Sequence, residues 1–156
     1  MEIADLLAGP DAVLACVKAS GKKALLAELA AKAAAFYKLD ERRLFDRLLE
    51  RERLGSTGIG GGIAIPHGRM AGLEKPVGLF ARLGHPVDFD SIDERPVDCV
   101  FLLLAPEGAG ADHLKALARV ARVLRSDAVA DALRRSNDPA RIYSILTQPL
   151  EANKAA

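Results

Sequence analysis

The sequence contains no tryptophan, and five phenylalanines and two tyrosines bring the aromatic share to only 4% of 156 residues. A core built from this chain must therefore rest on Leu, Ile, Val and Ala, and a hydrophobic content of 50% supplies them. Cysteine is as scarce. Cys16 and Cys99 form no CxxC pair and each sits in an apolar run, which predicts two buried, reduced thiols and argues against a disulfide framework. No apolar stretch approaches the about 18 residues needed for a spanning helix. The start, Met1-Glu2-Ile3-Ala4-Asp5, is acidic early and lacks the basic-then-apolar layout of a signal peptide. A soluble, cytoplasmic protein is the expectation. Charge of one sign is lacking too: 22 Lys+Arg against 21 Asp+Glu leave a net +1, so neither nucleic acid nor a membrane is an expected partner.

What is present fits one domain of a single core. A loosely alternating stretch over 12–19 predicts a strand, and the Ala-rich run 22–37, with Leu25, Leu26, Leu29 and Ala33 at helical spacing, predicts a helix that Ser20 would cap. Asp40 is placed to cap a second helix over 41–54, with Leu44, Phe45, Leu48 and Leu49 inward and Arg42, Arg43, Asp46, Arg47 and Glu50 in water. Residues 55–62 are too glycine-rich for helix or strand. Strands are expected at 63–65, halted by Pro66-His67-Gly68, and at 77–83, with a short edge piece at 86–89. The run 99–105 is continuously apolar and should be a central strand covered on both faces. Asp112 then caps a helix over 113–124, shorter helices follow at 128–135 and 139–146, and the tail 148–156 has no periodicity. Strands interleaved with helices and no internal repeat give an α/β layered domain over 1–147, with one sheet between helices and a flexible tail.

Several chemistries are excluded by spacing. The glycine loop fails the dinucleotide fingerprint, because the sixth position from Gly58 is Ile63 and the loop leads from helix into strand; no Gly-Lys-Ser/Thr follows it, as a phosphate-binding P-loop requires. His67, His85 and His113 form no i,i+4 pair and no Cys/His cluster, so no metal site is expected. Gly-x-Ser-x-Gly is absent as well. His85, in Gly84-His85-Pro86, is expected to be an exposed turn residue. His67 stands where a buried strand should emerge: Pro66 fixes its own φ and restricts Ile65, and Gly68 permits close backbone approach. His113 falls in the first turn of its helix, where free N–H groups and the dipole favour anions and a neutral imidazole.

The stretch Arg51-Glu52-Arg53-Leu54-Gly55-Ser56-Thr57-Gly58-Ile59-Gly60-Gly61-Gly62-Ile63-Ala64-Ile65-Pro66-His67-Gly68 resembles the signature of the mannitol/fructose-class enzyme IIA proteins of the bacterial phosphoenolpyruvate phosphotransferase system. The nitrogen-regulatory branch is the nearer likeness, through Gly-Ser-Thr-Gly-Ile-Gly and Ile-Pro-His-Gly. Pro86-Val87-Asp88-Phe89-Asp90-Ser91-Ile92-Asp93, Pro96-Val97-Asp98 and His113-Leu114 extend it to most of 14–147. The resemblance implies a single-domain α/β sandwich around a central mixed β-sheet flanked by helices. It also implies a histidine-phosphorylated, metal-independent phosphoryl carrier with no cofactor. His67 takes the place of the phosphorylated histidine, His113 that of the auxiliary histidine, and Arg51, 16 residues before His67, that of an active-site arginine. Ser56, Thr57 and Gly68 fall in the active-site loop. The implied donor is a phosphorylated HPr-like carrier protein, and the implied output is control of regulatory targets such as transporters or sensor kinases. The alternatives are a sugar-transport enzyme IIA that hands the phosphoryl group to a IIB domain, and a protein that only binds partners. Lys115, Arg119 and Arg122, at i, i+4 and i+7 opposite Leu114, Leu117 and Leu124, mark a possible docking face.

Overall fold

The computed structural model describes residues 2–148, so the tail expected from 148 lies, from 149 onward, outside the described residues. The chain runs α1 (Ile3–Leu6), a 3-10 turn (Pro10–Ala12), β1 (Val13–Val17), α2 (Lys22–Tyr37), α3 (Glu41–Arg53), β2 (Gly58–Gly60), β3 (Ile63–Ala64), β4 (His67–Met70), β5 (Val77–Val87), β6 (Val97–Pro106), α4 (Gly110–Leu124), α5 (Asp127–Arg134) and α6 (Pro139–Thr147). The strands form one sheet in the order β1-β5-β6-β3-β2, with β4 pairing β6 beyond β3. β5 lies antiparallel to β6, whereas β3 and β4 are parallel to it, so the expected mixed sheet flanked by helices is what the chain forms.

β6 is the organising element. Every residue from Cys99 to Ala105 is 0% exposed, so both faces of this strand are covered, as its unbroken apolarity demands. With so few aromatics, each large ring matters: Phe101 of β6 stands opposite Phe80 of β5, and both are fully buried. Phe101→Ala is therefore expected to cost about 3–5 kcal/mol of unfolding free energy. Urea titration checks it; a loss under about 1 kcal/mol would mean that the core closes over the hole.

The α2 helix keeps its expected bounds, with Leu25, Leu26, Leu29 and Ala33 all 0% exposed. Its cap differs: Gly21, not Ser20, is the N-cap, and no side chain caps the helix. Asp40 caps α3 as expected, accepting from Arg43 N at 3.0 Å. The glycine segment departs from expectation, because β2 forms within it. Gly60, Gly61 and Gly62 hold φ of 92°, 67° and 81°, making the tight turn that folds β2 back onto β3 as an antiparallel pair. The expected halt at Pro66 is an interruption rather than an end. Pro66 lacks an N–H, yet its carbonyl still accepts from Leu103 N at 2.9 Å, and the chain resumes pairing with β6 at His67.

Four other expectations are corrected. His85 is exposed but lies within β5, where the register shifts between Arg82 and Val87; the strand thereby absorbs the expected edge piece up to Val87. α4 begins at Gly110 with Ala109 as an N-cap that offers no side chain, so Asp112 sits inside the first turn instead of capping it. Cys99 is buried as expected, with its thiol pushed up to about 12, but Cys16 on the edge strand β1 is exposed. On α4 the buried face is His113, Ala116, Val120, Val123 and Leu124, while Leu114 is 67% exposed. That leaves Lys115 and Arg122 beside an outward leucine, and ties Arg119 to Glu2 at 3.3 Å. No helix among the described residues is long and apolar enough to cross a membrane.

Candidate functional site

The β3–β4 interruption places a histidine ring where a continuous strand would have placed a ladder bond. Ile65 N donates to Thr57 O at 3.0 Å, and Ile65 O, turned the other way by Pro66, lies 2.8 Å from Nδ1 of His67. A carbonyl only accepts, so Nδ1 carries the proton. At the other side of the ring, Nε of Arg51 lies 3.3 Å from Nε2 of His67, and a guanidinium only donates, so Nε2 presents its lone pair. Two independent partners thus specify one tautomer, with Nδ1 protonated and Nε2 an unprotonated acceptor.

Arg51 is held by its own helix terminus. Its Nη1 donates to Gly55 O at 2.8 Å just beyond the end of α3, which fixes the guanidinium with Nε toward the ring. His113 of α4 meets His67 edge-on, with ring centroids 5.4 Å apart and planes at 79°. His113 is 7% exposed and its Nε2 is buried without a hydrogen-bond partner. An unpaired buried ring nitrogen is costly unless something arrives to occupy it. Arg69 comes from β4 itself. Two residues after His67, the strand's alternation sets it on the same face, and a Cβ built on Gly110 would lie 3.6 Å from its Nη2.

Both rings are held below the ordinary histidine value of 6.5. Burial is the main cause for each; Arg51 pushes His67 further down, against the opposing pull of the Ile65 carbonyl and of Glu52, while His67 and Arg69 push down His113. Both are therefore neutral near pH 7. The sign for stability follows. A ring whose folded value is depressed stays neutral while the unfolded chain takes up its proton, so stability is lost as pH falls below 6.5 and is unaffected by these rings above it. Ring proton resonances of both histidines should titrate below 6.5, and the urea midpoint should fall between about pH 7.5 and 5.5. Midpoints at or above the free value for both rings would contradict this.

Among the expected site residues, the structure brings His67, His113 and Arg51 together. Ser56 and Thr57 lie in the adjoining turn but face elsewhere. The Ser56 hydroxyl donates to Phe89 O at 2.5 Å and accepts from Gly58 N at 3.0 Å, and Thr57 bonds to Glu52. Gly58, which opens β2, packs closely against Ser91: a Cβ there would stand 2.1 Å from Ser91 Oγ. Gly68 is a correction: it belongs to β4, not to a loop, and a Cβ there would make only ordinary contacts with Arg47 and Leu48. Arg69 and Glu52 were not singled out from sequence. Strand alternation from His67 points to the first, and the i+4 series Leu44, Leu48, Glu52 along the buried side of α3 points to the second. Among the described residues no group of three or more His, Cys, Asp or Glu could hold a metal ion.

One half-buried imidazole thus faces an arginine and a second imidazole at the edge of the mixed sheet. The chain belongs to the family described as phosphoenolpyruvate-dependent sugar phosphotransferase system, EIIA 2, whose model matches residues 7–148. Within that family it is similar to proteins named nitrogen regulatory protein. The one from Bradyrhizobium diazoefficiens is 58% identical over 96% of this chain and 97% of its own length, and the one from Pseudomonas aeruginosa is 40% identical over 88% and 90%. The crystal structure of the nitrogen regulatory protein IIA-Ntr from Neisseria meningitidis superposes with a TM-score of 0.86 at 34% identity, covering 93% of this chain and 99% of that one.

Proposed function

We propose that this chain is a cytoplasmic regulatory phosphocarrier of a nitrogen-related phosphoenolpyruvate phosphotransferase system. It accepts a phosphoryl group on Nε2 of His67 from a phosphorylated HPr-like carrier, and its phosphorylation state governs which target proteins it binds. Residues 1–147 act as one enzyme IIA unit. The observation that carries this reading is the convergence on one nitrogen: Nδ1 of His67 is tied to Ile65 O at 2.8 Å, while Nε2 is met by Arg51 at 3.3 Å.

The chemistry follows from that geometry. The Nε2 lone pair attacks phosphorus in line; the new N–P bond forms as the donor's N–P bond breaks, and the donor imidazole leaves with that electron pair. No proton needs to move, because Nδ1–H stays on Ile65 O and stabilises the positive charge that the ring acquires. Phosphoryl transfer demands positioning and charge stabilisation more than covalent assistance. Arg51 supplies a fixed cation, and the orphaned side of His113 and the nearby Arg69 face the same site. The regulatory assignment rests on the similarity to the nitrogen regulatory proteins. The exposed Leu54 (85%), just past Arg51, and Leu114 (67%), beside His113, are apolar contacts for a docking carrier.

The test is labelling of the purified protein from phosphoenolpyruvate and the upstream carriers. The expected product is an acid-labile Nε2-phosphohistidine at His67, with no passage of label to a IIB domain. Efficient transfer to IIB would favour the sugar-transport alternative. Absence of label would leave a protein that only binds partners.

A further inference from the structure

Glu52 is the only carboxylate buried among the described residues, its side chain 4% exposed, and the transfer chemistry above makes no use of it. It is not a simple ion pair. Lys22 Nζ lies 2.9 Å from Oε1, and the same oxygen accepts from Thr57 N at 3.0 Å, while Oε2 accepts from the Thr57 hydroxyl. Thr57 is thus clamped at both its amide and its side chain. Beyond Thr57 the bonds run in one direction: Thr57 O accepts from Ile65 N at 3.0 Å, and Ile65 O accepts from Nδ1–H of His67 at 2.8 Å. The carboxylate lies at the start of a series of hydrogen bonds whose end is the His67 ring.

We propose that Glu52 is a positioning residue for the acceptor ring: its carboxylate anchors Thr57, Thr57 sets Ile65, and Ile65 holds His67 with Nδ1 inward and Nε2 toward the donor. The inference rests on reading His67 as the phosphoryl acceptor. Stability alone does not call for this arrangement, because a buried ion pair can often be replaced by apolar side chains with no loss of stability. A pair serving only to join α2 to α3 would also have no need to bind a backbone amide on the path to His67. Lys22 has the supporting part. It neutralises the buried carboxylate and, through Phe89 O at 3.3 Å and Asp90 at 3.6 Å, ties it to the loop that also receives Ser56.

The experiment pairs a ring signature with a rate. Nitrogen-15 spectra of unphosphorylated wild-type protein should show His67 as the Nδ1–H tautomer. In Glu52→Ala the Nε2–H form should become populated, and labelling at saturating donor should slow about 10- to 100-fold with the KM for donor unchanged, since the docking surface is untouched. Glu52→Gln, whose amide oxygen can still accept from Thr57 N, should recover most of both. Should Glu52→Ala fail to fold around its stranded lysine, the double variant Lys22→Met/Glu52→Met removes both charges and should fold while showing the same mixed tautomer. A folded variant that keeps the wild-type tautomer and rate, or a Glu52→Gln protein no better than Glu52→Ala, overturns the proposal. If wild-type protein takes no label at all, the carrier reading is what fails, while the tautomer comparison still decides the part played by Glu52.

Discussion

His67→Ala should abolish labelling from phosphoenolpyruvate and the upstream carriers, a fall of at least about 10⁴-fold, while leaving the protein folded. The prediction is sharp because a second imidazole stands 5.4 Å away, centroid to centroid, and could in principle inherit the phosphoryl group. The two rings are not equivalent. His67 is half-buried with its tautomer fixed by Ile65 and Arg51, whereas His113 is 7% exposed and has nothing at Nε2 to direct a lone pair outward. Attack needs an unprotonated nitrogen that a donor can reach, and the half-buried His67, with Nε2 fixed as that nitrogen, meets the need better than the buried His113. The fold should tolerate the change, since the β4 pairing of residue 67 with Leu103 is made by backbone and survives any side chain. Acid-labile radiolabel counted after gel filtration measures the outcome. Label retained by a folded His67→Ala protein would move the acceptor to His113 and overturn the assignment.

The difference between those two histidines also shows what was legible in the sequence. Periodicity found α2 to the residue and located α3, β6, α5 and α6 closely, because each carries a strong 3.6- or continuous apolar pattern and sits where that pattern is satisfied. The strand at 63–65 was read correctly as β3, and the two strands beside it, β2 and β4, were missed. β2 is three residues long and two of them are glycine, so no propensity announces it; it exists because the 60–62 turn brings it against β3. β4 begins directly after a proline that should end a strand, and its strand pairing is to β6, about 36 residues away, which no local pattern encodes. The site lies where local preference and tertiary pairing disagree. The three principal residues could be named from the motif, but the carbonyl that fixes the ring and the carboxylate beneath it could not. The carbonyl follows from how Pro66 interrupts the pairing to β6, and the carboxylate from its place on the buried side of α3, where it meets Thr57.

Arg51→Ala should slow phosphoryl acceptance by about 10²–10³-fold, the usual loss when one fixed donor to developing charge is removed. Two effects combine here, and pH separates them. Arg51 helps to hold His67 below its ordinary value, so without it the ring binds a proton more readily and a smaller fraction carries a free lone pair near neutrality. That part of the loss vanishes at alkaline pH, where the ring is neutral in either protein. The remainder persists, because the Nε–H that rests on His67 Nε2 at 3.3 Å is the group that would turn onto a phosphoryl oxygen when the donor docks. Arg51→Lys should fall between wild type and Arg51→Ala at every pH. Lysine restores the charge, but it cannot reach Gly55 O and the ring together as the guanidinium does through Nη1 at 2.8 Å and Nε. The measurement is the single-turnover labelling rate of all three proteins across the pH range in which His67 titrates. A rate for Arg51→Ala within about threefold of wild type at both ends of that range would show that His67 transfers without the guanidinium, and the charge stabilisation would have to be sought at Arg69 and the first turn of α4.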